Sequence, residues 1–114
     1  MNDREMLELA ANACGFQWRW FGNRFCTVRD FKFMRHEHWD PLGDDGDALR
    51  LAMHLELGVV CKRDSDTYEK NTSVVTNPYC ANQIRITQPH RGYPESATRR
   101  AIVQAAAEIG RGIK

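Results

Sequence analysis

Between Trp39 and Ala52 the chain has few choices: it must turn, and then it must start a helix. Pro41 holds Asp40 in extended geometry, so Trp39 arrives from a strand or loop and can fold back onto that helix. An acidic, glycine-containing run comes next, Gly43-Asp44-Asp45-Gly46-Asp47. Asp44 or Asp45 can accept hydrogen bonds from the free N–H groups of a first helical turn. All three aspartates put negative charge where the helix dipole favours it. Ala48, Leu51, Ala52 and Leu55 then recur at the spacing of one buried helical face. Gly58 is the expected C-terminal glycine of this helix.

The same aspartates invite a calcium reading, which the spacing refuses. An EF-hand needs oxygen ligands at alternate positions, a glycine at the sixth and a glutamate at the twelfth. With Gly46 as the sixth, Pro41 falls at the first position, Gly43 at the third and Ala52 at the twelfth. The loop is read as a cap, and no metal or other cofactor is expected.

Helical periodicity returns at both ends of the chain. Residues 3–14 carry the stripe Met6, Leu9, Ala10 and Ala13, with Asn2 or Asp3 as cap and Gly15 as stop. The last helix is expected from about Ser96 to Ile109, with Ser96 as cap or with Pro94 and Glu95 already in its first turn. Ala101, Ile102, Ala105, Ala106 and Ile109 form its small-residue face, and Gly110 is its expected end. Arg99 and Arg100 sit near the N-terminal end of that helix, where the dipole disfavours cations. Pairing of one of them with the Asp44–Asp47 loop would account for the violation; a working surface is the other reading.

Between these helices the period changes to two. Eight of the eleven aromatic residues lie from Phe16 to Trp39. Phe16-Gln17-Trp18-Arg19-Trp20 alternates like a half-buried strand, Gly22-Asn23 is a turn, and Arg24 to Val28 is the returning strand. Arg29-Asp30 is read as a second turn, before Phe31 to Arg35. Further on, strands are expected at Val59–Arg63, at Thr67–Glu69, at Ser73–Thr76 and at Gln83–Thr87, with a hairpin tip at Asp64-Ser65-Asp66. The resulting fold class is α+β, with an antiparallel sheet of four to six strands packed by about three helices in the order α-β-β-α-β-β-β-α.

Composition narrows the function classes. A chain of 114 residues with 42% hydrophobic and 27% charged residues is one ordinary globular domain. It holds no apolar run of bilayer-spanning length and no signal-peptide h-region, so a cytoplasmic protein with no membrane partner is expected. Cys14, Cys26, Cys61 and Cys80 contain no Cys-x-x-Cys pair and are read as small buried hydrophobes. The net charge of +1 argues against general DNA binding, although it is unevenly spread. Residues 40–58 hold five acids and one base, and residues 81–114 hold six bases and two acids.

One segment still looks like a nucleic-acid surface. Trp18 and Trp20, interleaved with Arg19, Arg24 and Lys32, could stack bases while cations hold phosphates. Strands that bury one aromatic face and keep charges on the other give the same pattern, and that reading is preferred. A hydrolase or metal enzyme built on His36, Glu37, His38 and the Asp44–Asp47 loop ranks last.

Two stretches carry a resemblance. Trp39-Asp40-Pro41-Leu42 with Asp44-Asp45-Gly46-Asp47-Ala48-Leu49-Arg50-Leu51-Ala52, and residues 97–110 (Ala97-Thr98-Arg99-Arg100-Ala101 onward), are similar to the NinX-like accessory proteins of tailed bacteriophages and prophages. Those share a Trp-Asn-Pro, an Asp-Ala helix and a closing helix; here Asp40 stands for the more usual Asn. The aromatic region and residues 59–90 have no counterpart. The resemblance implies a phage accessory protein in the bacterial cytoplasm and carries over no catalytic residue. The expected function is therefore non-enzymatic binding of a host or phage protein, with counteraction of host defence as one such role. The nucleic-acid module is the alternative. Candidate partner-surface residues are Trp18, Arg19, Trp20, Arg24, Lys32, Asp44, Asp45, Arg99 and Arg100.

Overall fold

The computed structural model describes residues 2–30, 35–76 and 83–112. Its order is α1 (Asp3–Ala13), β1 (Gln17–Phe21), β2 (Arg24–Asp30), β3 (Arg35–His38), α2 (Asp45–His54), β4 (Gly58–Arg63), β5 (Lys70–Val75), β6 (Arg85–Pro89) and α3 (Pro94–Arg111). The α+β class, the antiparallel pairing and the three helices are as the sequence implies. The strands, however, divide into two three-stranded meanders, β1-β2-β3 and β4-β5-β6, where one sheet was expected. Each meander is built from neighbours in sequence, and α2 carries the chain from one to the other.

Two helices end in the same hydrogen-bond motif. In α1 the amide of Phe16 reaches the carbonyl of Ala11 at 3.0 Å and that of Gly15 reaches Asn12 at 3.0 Å. In α2 the amide of Leu57 reaches Ala52 at 2.8 Å and that of Glu56 reaches Met53 at 3.2 Å. Both are Schellman closures, which need a left-handed residue at the turn. Gly15 supplies it with φ 74° in α1, but Glu56 supplies it with φ 55° in α2. Gly58 does not stop the helix; it is the first residue of β4.

The N-terminal ends follow local chemistry. The Asn2 side chain accepts from the Glu5 amide at 2.8 Å, and that of Asp44 accepts from the Asp47 amide at 2.8 Å. In α3 the second of the two expected starts holds: Pro94 and Glu95 already lie in the first turn, Ser96 is not the cap, and Tyr93 before them makes no side-chain cap bond. Gly110 does not end α3 either. It lies inside the helix and is buried, because a Cβ there would overlap the carbonyl oxygen of Leu9 on α1.

Helix α3 is the hub of the molecule, touching α1, α2, β5 and β6. Ala101, Ile102, Val103, Ala105, Ala106, Ala107 and Gly110 are all buried, so its small residues face several neighbours rather than one. The inner stripe of α1 is Met6, Leu7, Ala10 and Ala11, rotated from the expected one; Leu9 is only partly covered. Trp39, 1% exposed, fills the centre against Phe16 at 6.0 Å, edge to face, and Phe25 at 5.8 Å.

Candidate protein-interaction surface

The loop before α2 is held by its own aspartates. One carboxylate oxygen of Asp47 accepts from the Asp40 amide at 3.0 Å, and the other accepts from Arg50 Nη2 at 2.7 Å. These bonds fix where Trp39 enters the core. The Asp47 bond is also the first cause of a raised Arg50 pKa, since it stabilises the charged guanidinium. Asp45 pairs with Arg99 Nη1 at 2.5 Å, and Arg99 Nε donates to the Leu42 carbonyl at 2.8 Å. Arg100 pairs instead with Asp3 at 3.2 Å. The cations at the start of α3 thus tie α1 and the α2 loop to it, as the charge violation implied for Arg99. Among the described residues, no three His, Cys, Asp or Glu side chains come together as a metal site.

The aromatic and basic candidates do not form one platform. The register pairs Trp18 with Thr27, Trp20 with Phe25, Arg19 with Cys26 and Phe21 with Arg24. Both tryptophans therefore share one face, while Arg19 and Arg24 belong to the other. On the first face Trp18 Nε1 donates to Asn12 at 2.9 Å and Trp20 Nε1 to Glu8 at 2.8 Å. The Arg4 guanidinium stacks 4.0 Å from the Trp20 ring centre. Each indole is thus engaged by α1. Lys32, like Phe31, Phe33, Met34 and Cys80, lies outside the described residues.

Beside these, a polar cluster centred on the buried Thr72 joins β4, β5 and α3. The Thr72 hydroxyl contacts His90 Nε2 at 2.7 Å, the Thr98 hydroxyl at 2.8 Å and Cys61 Sγ at 3.4 Å. With one proton and two lone pairs, that hydroxyl is fully occupied. His90 Nδ1 is buried without a partner. Cys61 itself is exposed, unlike the buried cysteine expected there, and Cys14 is half-buried while Cys26 is buried.

The site that sequence reading missed lies on the outer side of α2. Leu49 and Met53, one helical turn apart, are 61% and 69% exposed. Next to them a cavity of about 390 Å³ opens between α2, α3 and β4, its apolar wall made by Ala48, Leu49, Ala52, Val59, Pro94 and Ile102. Asp45, Glu95 and Arg99 stand at its rim. The signal was visible: Leu49 and Met53 form a second apolar pair at i, i+4, off the buried stripe. A cavity of similar size lies near Arg4, Trp20, Asn23 and His38.

No helix among the described residues is long and apolar enough to cross a membrane. Comparison with protein-family models, with curated proteins and with solved structures finds no match to this chain.

Proposed function

We propose that this chain is a non-enzymatic accessory protein that works by binding another protein, and that the groove between α2 and α3 receives it. The observation that carries the reading is the apolar surface of Leu49, Met53 and Val59 left in water beside that groove. Burying one such side chain yields about 1.5–3 kcal/mol, and apolar patches rimmed by charge mark interaction sites. The fitting occupant is a partner segment that inserts one or two aliphatic side chains and brings a basic residue to Glu95. The likeness to NinX-like phage proteins supplies the setting: the bacterial cytoplasm, and a host or phage protein as partner. Interference with host defence is a role such a binder would serve. Nucleic-acid binding is the less favoured reading, because the tryptophans and Arg19 and Arg24 occupy opposite faces of their sheet.

Affinity capture from bacterial lysate tests this with three baits. Wild type should retain a protein that Leu49→Asp loses and that the double variant Arg19→Ala, Arg24→Ala keeps. Failure to retain any protein, combined with binding of a single-stranded oligonucleotide at low salt that the double variant abolishes, would replace the protein reading with the nucleic-acid one.

A further inference from the structure

The edge of the second sheet has a backbone polarity that specifies how another strand would join it. The Asp64 amide donates to the Glu69 carbonyl at 2.8 Å, which makes that pair a hydrogen-bonded one. The β4–β5 register pairs Lys62 with Asn71, Val60 with Ser73 and Gly58 with Val75. Hydrogen-bonded pairs alternate in an antiparallel ladder, so these three are the next in line. Val59, Cys61 and Arg63 therefore direct their N–H and C=O groups away from β5. Among the described residues those groups have no partner, and every residue of β4 is exposed.

Natural edge strands are blunted by proline, bulges, charge or brevity. In β4 the register runs unbroken over six pairs, and its only charges, Lys62 and Arg63, stand at one end. The middle, Val59-Val60-Cys61, is apolar. By contrast the outer strand β6 begins at Arg85 and ends at Pro89.

We infer that β4 pairs antiparallel with β4 of a second copy of this chain, about a two-fold axis through Val60. The backbone parity of β4 requires outward-facing residues to meet in hydrogen-bonded pairs. Val59 then stands opposite Cys61 of the second copy, and the two Val60 side chains face each other in the closely spaced non-hydrogen-bonded position. The apolar middle is its own complement. The charged ends do not collide: in this register Lys62 of one copy stands across from Gly58 of the other, so the two Lys62 residues lie at opposite ends of the seam, while Asp64 is turned into its own loop by the amides of Asp66 and Thr67. A register centred on Cys61 also satisfies the backbone parity. It would set the two Lys62 residues diagonally across the seam, which disfavours it. The product is a continuous six-stranded sheet across two copies. Val59 borders both this seam and the groove between α2 and α3, but the seam is tested at Val60 and the groove at Leu49, so the two readings fail separately.

Sedimentation velocity over a concentration series should show the mass rising from 13.1 kDa toward twice that value. Val60→Lys, a change at a half-exposed position, should stay monomeric, with a melting temperature that matches dilute wild type and does not rise with concentration. In a Cys61→Ser background, Val60→Cys should form a disulfide-linked dimer on mild oxidation, at least tenfold faster than Lys62→Cys. Wild type that stays monomeric throughout, a dimer that survives Val60→Lys, or faster cross-linking through position 62 would overturn the inference.

Discussion

The carbonyl oxygen of Leu9 occupies the space where a Cβ on Gly110 would be. The two helices α1 and α3 therefore meet backbone to backbone at that point. Gly110→Ala must push them apart, and overpacking of this kind costs about 1–3 kcal/mol or somewhat more. The expected result is a loss of about 3 kcal/mol in denaturant unfolding, with Gly112→Ala, whose Cβ meets ordinary contacts only, as the near-neutral control. Equal stability of the two variants would mean that the helices are not this close.

Glu56 closes α2 in a left-handed conformation that Gly15 adopts at the corresponding place in α1. A non-glycine residue there carries a penalty of about 1 kcal/mol. Glu56→Gly is expected to raise stability by about 0.5–1 kcal/mol. Glu56→Ala, which removes the side chain and keeps the strain, should give no gain. Thermal unfolding of both variants separates the backbone effect from the side-chain effect; a gain in the alanine variant alone would contradict it.

Arg99 serves two acceptors, the Asp45 carboxylate and the Leu42 carbonyl. Asp45 is 72% exposed at its side chain, against 19% for Arg99, and such ion pairs contribute at most about 1 kcal/mol. Asp45→Asn should therefore cost less than about 1 kcal/mol and should be sensitive to salt. Arg99→Met should cost about 2 kcal/mol, because the Leu42 carbonyl also loses its donor. Chemical denaturation at low and high salt checks the order; a larger loss from Asp45→Asn would reverse the assignment.

Asp64 caps its own hairpin. Bonds from the amides of Asp66 and then Thr67 hold its pKa below the ordinary 3.8. A carboxylate with a depressed folded pKa adds stability that is complete above the unfolded value and is lost as pH falls through the folded one. Amide exchange in the 64–69 loop should be unchanged from neutral pH down to that ordinary value, once intrinsic rates are divided out, and should quicken below it. Asp64→Asn should flatten the dependence. A loop whose protection fades well above 3.8 would point to another titrating group.

What the sequence made readable was local. Residue type and position narrow each cap to two neighbours, Asn2 or Asp3 and Asp44 or Asp45, of which the first caps in each case; they mark Gly22-Asn23 as a turn, and Arg99 or Arg100 as a misplaced cation in need of an acid from the α2 loop, which Arg99 finds. Where reading went astray, the deciding interaction was between distant segments. Gly58 and Gly110 look alike as helix stops, yet one starts a strand and the other exists for contact with Leu9. Alternation marks Phe16–Val28 and Val59–Val75 as strands but cannot say that they belong to separate meanders. The spacing along α2 correctly buries Leu51 and leaves Leu49 and Met53 off the stripe, but the groove beside them is made by Val59, Pro94 and Ile102 from distant segments, and no local pattern brings those together.

Helices α1 and α2 and the second meander all lean on α3, and α3 comes after all of them in the chain. As the polypeptide is synthesised, the first two helices and the second meander emerge before the element they share as a wall. Until Pro94 to Arg111 is available, Met6, Leu51 and Val74 have no common surface to dry against. Removing α3 should therefore leave no stable half-molecule: a fragment ending before Pro94 would be a protease-sensitive chain, not a smaller protein.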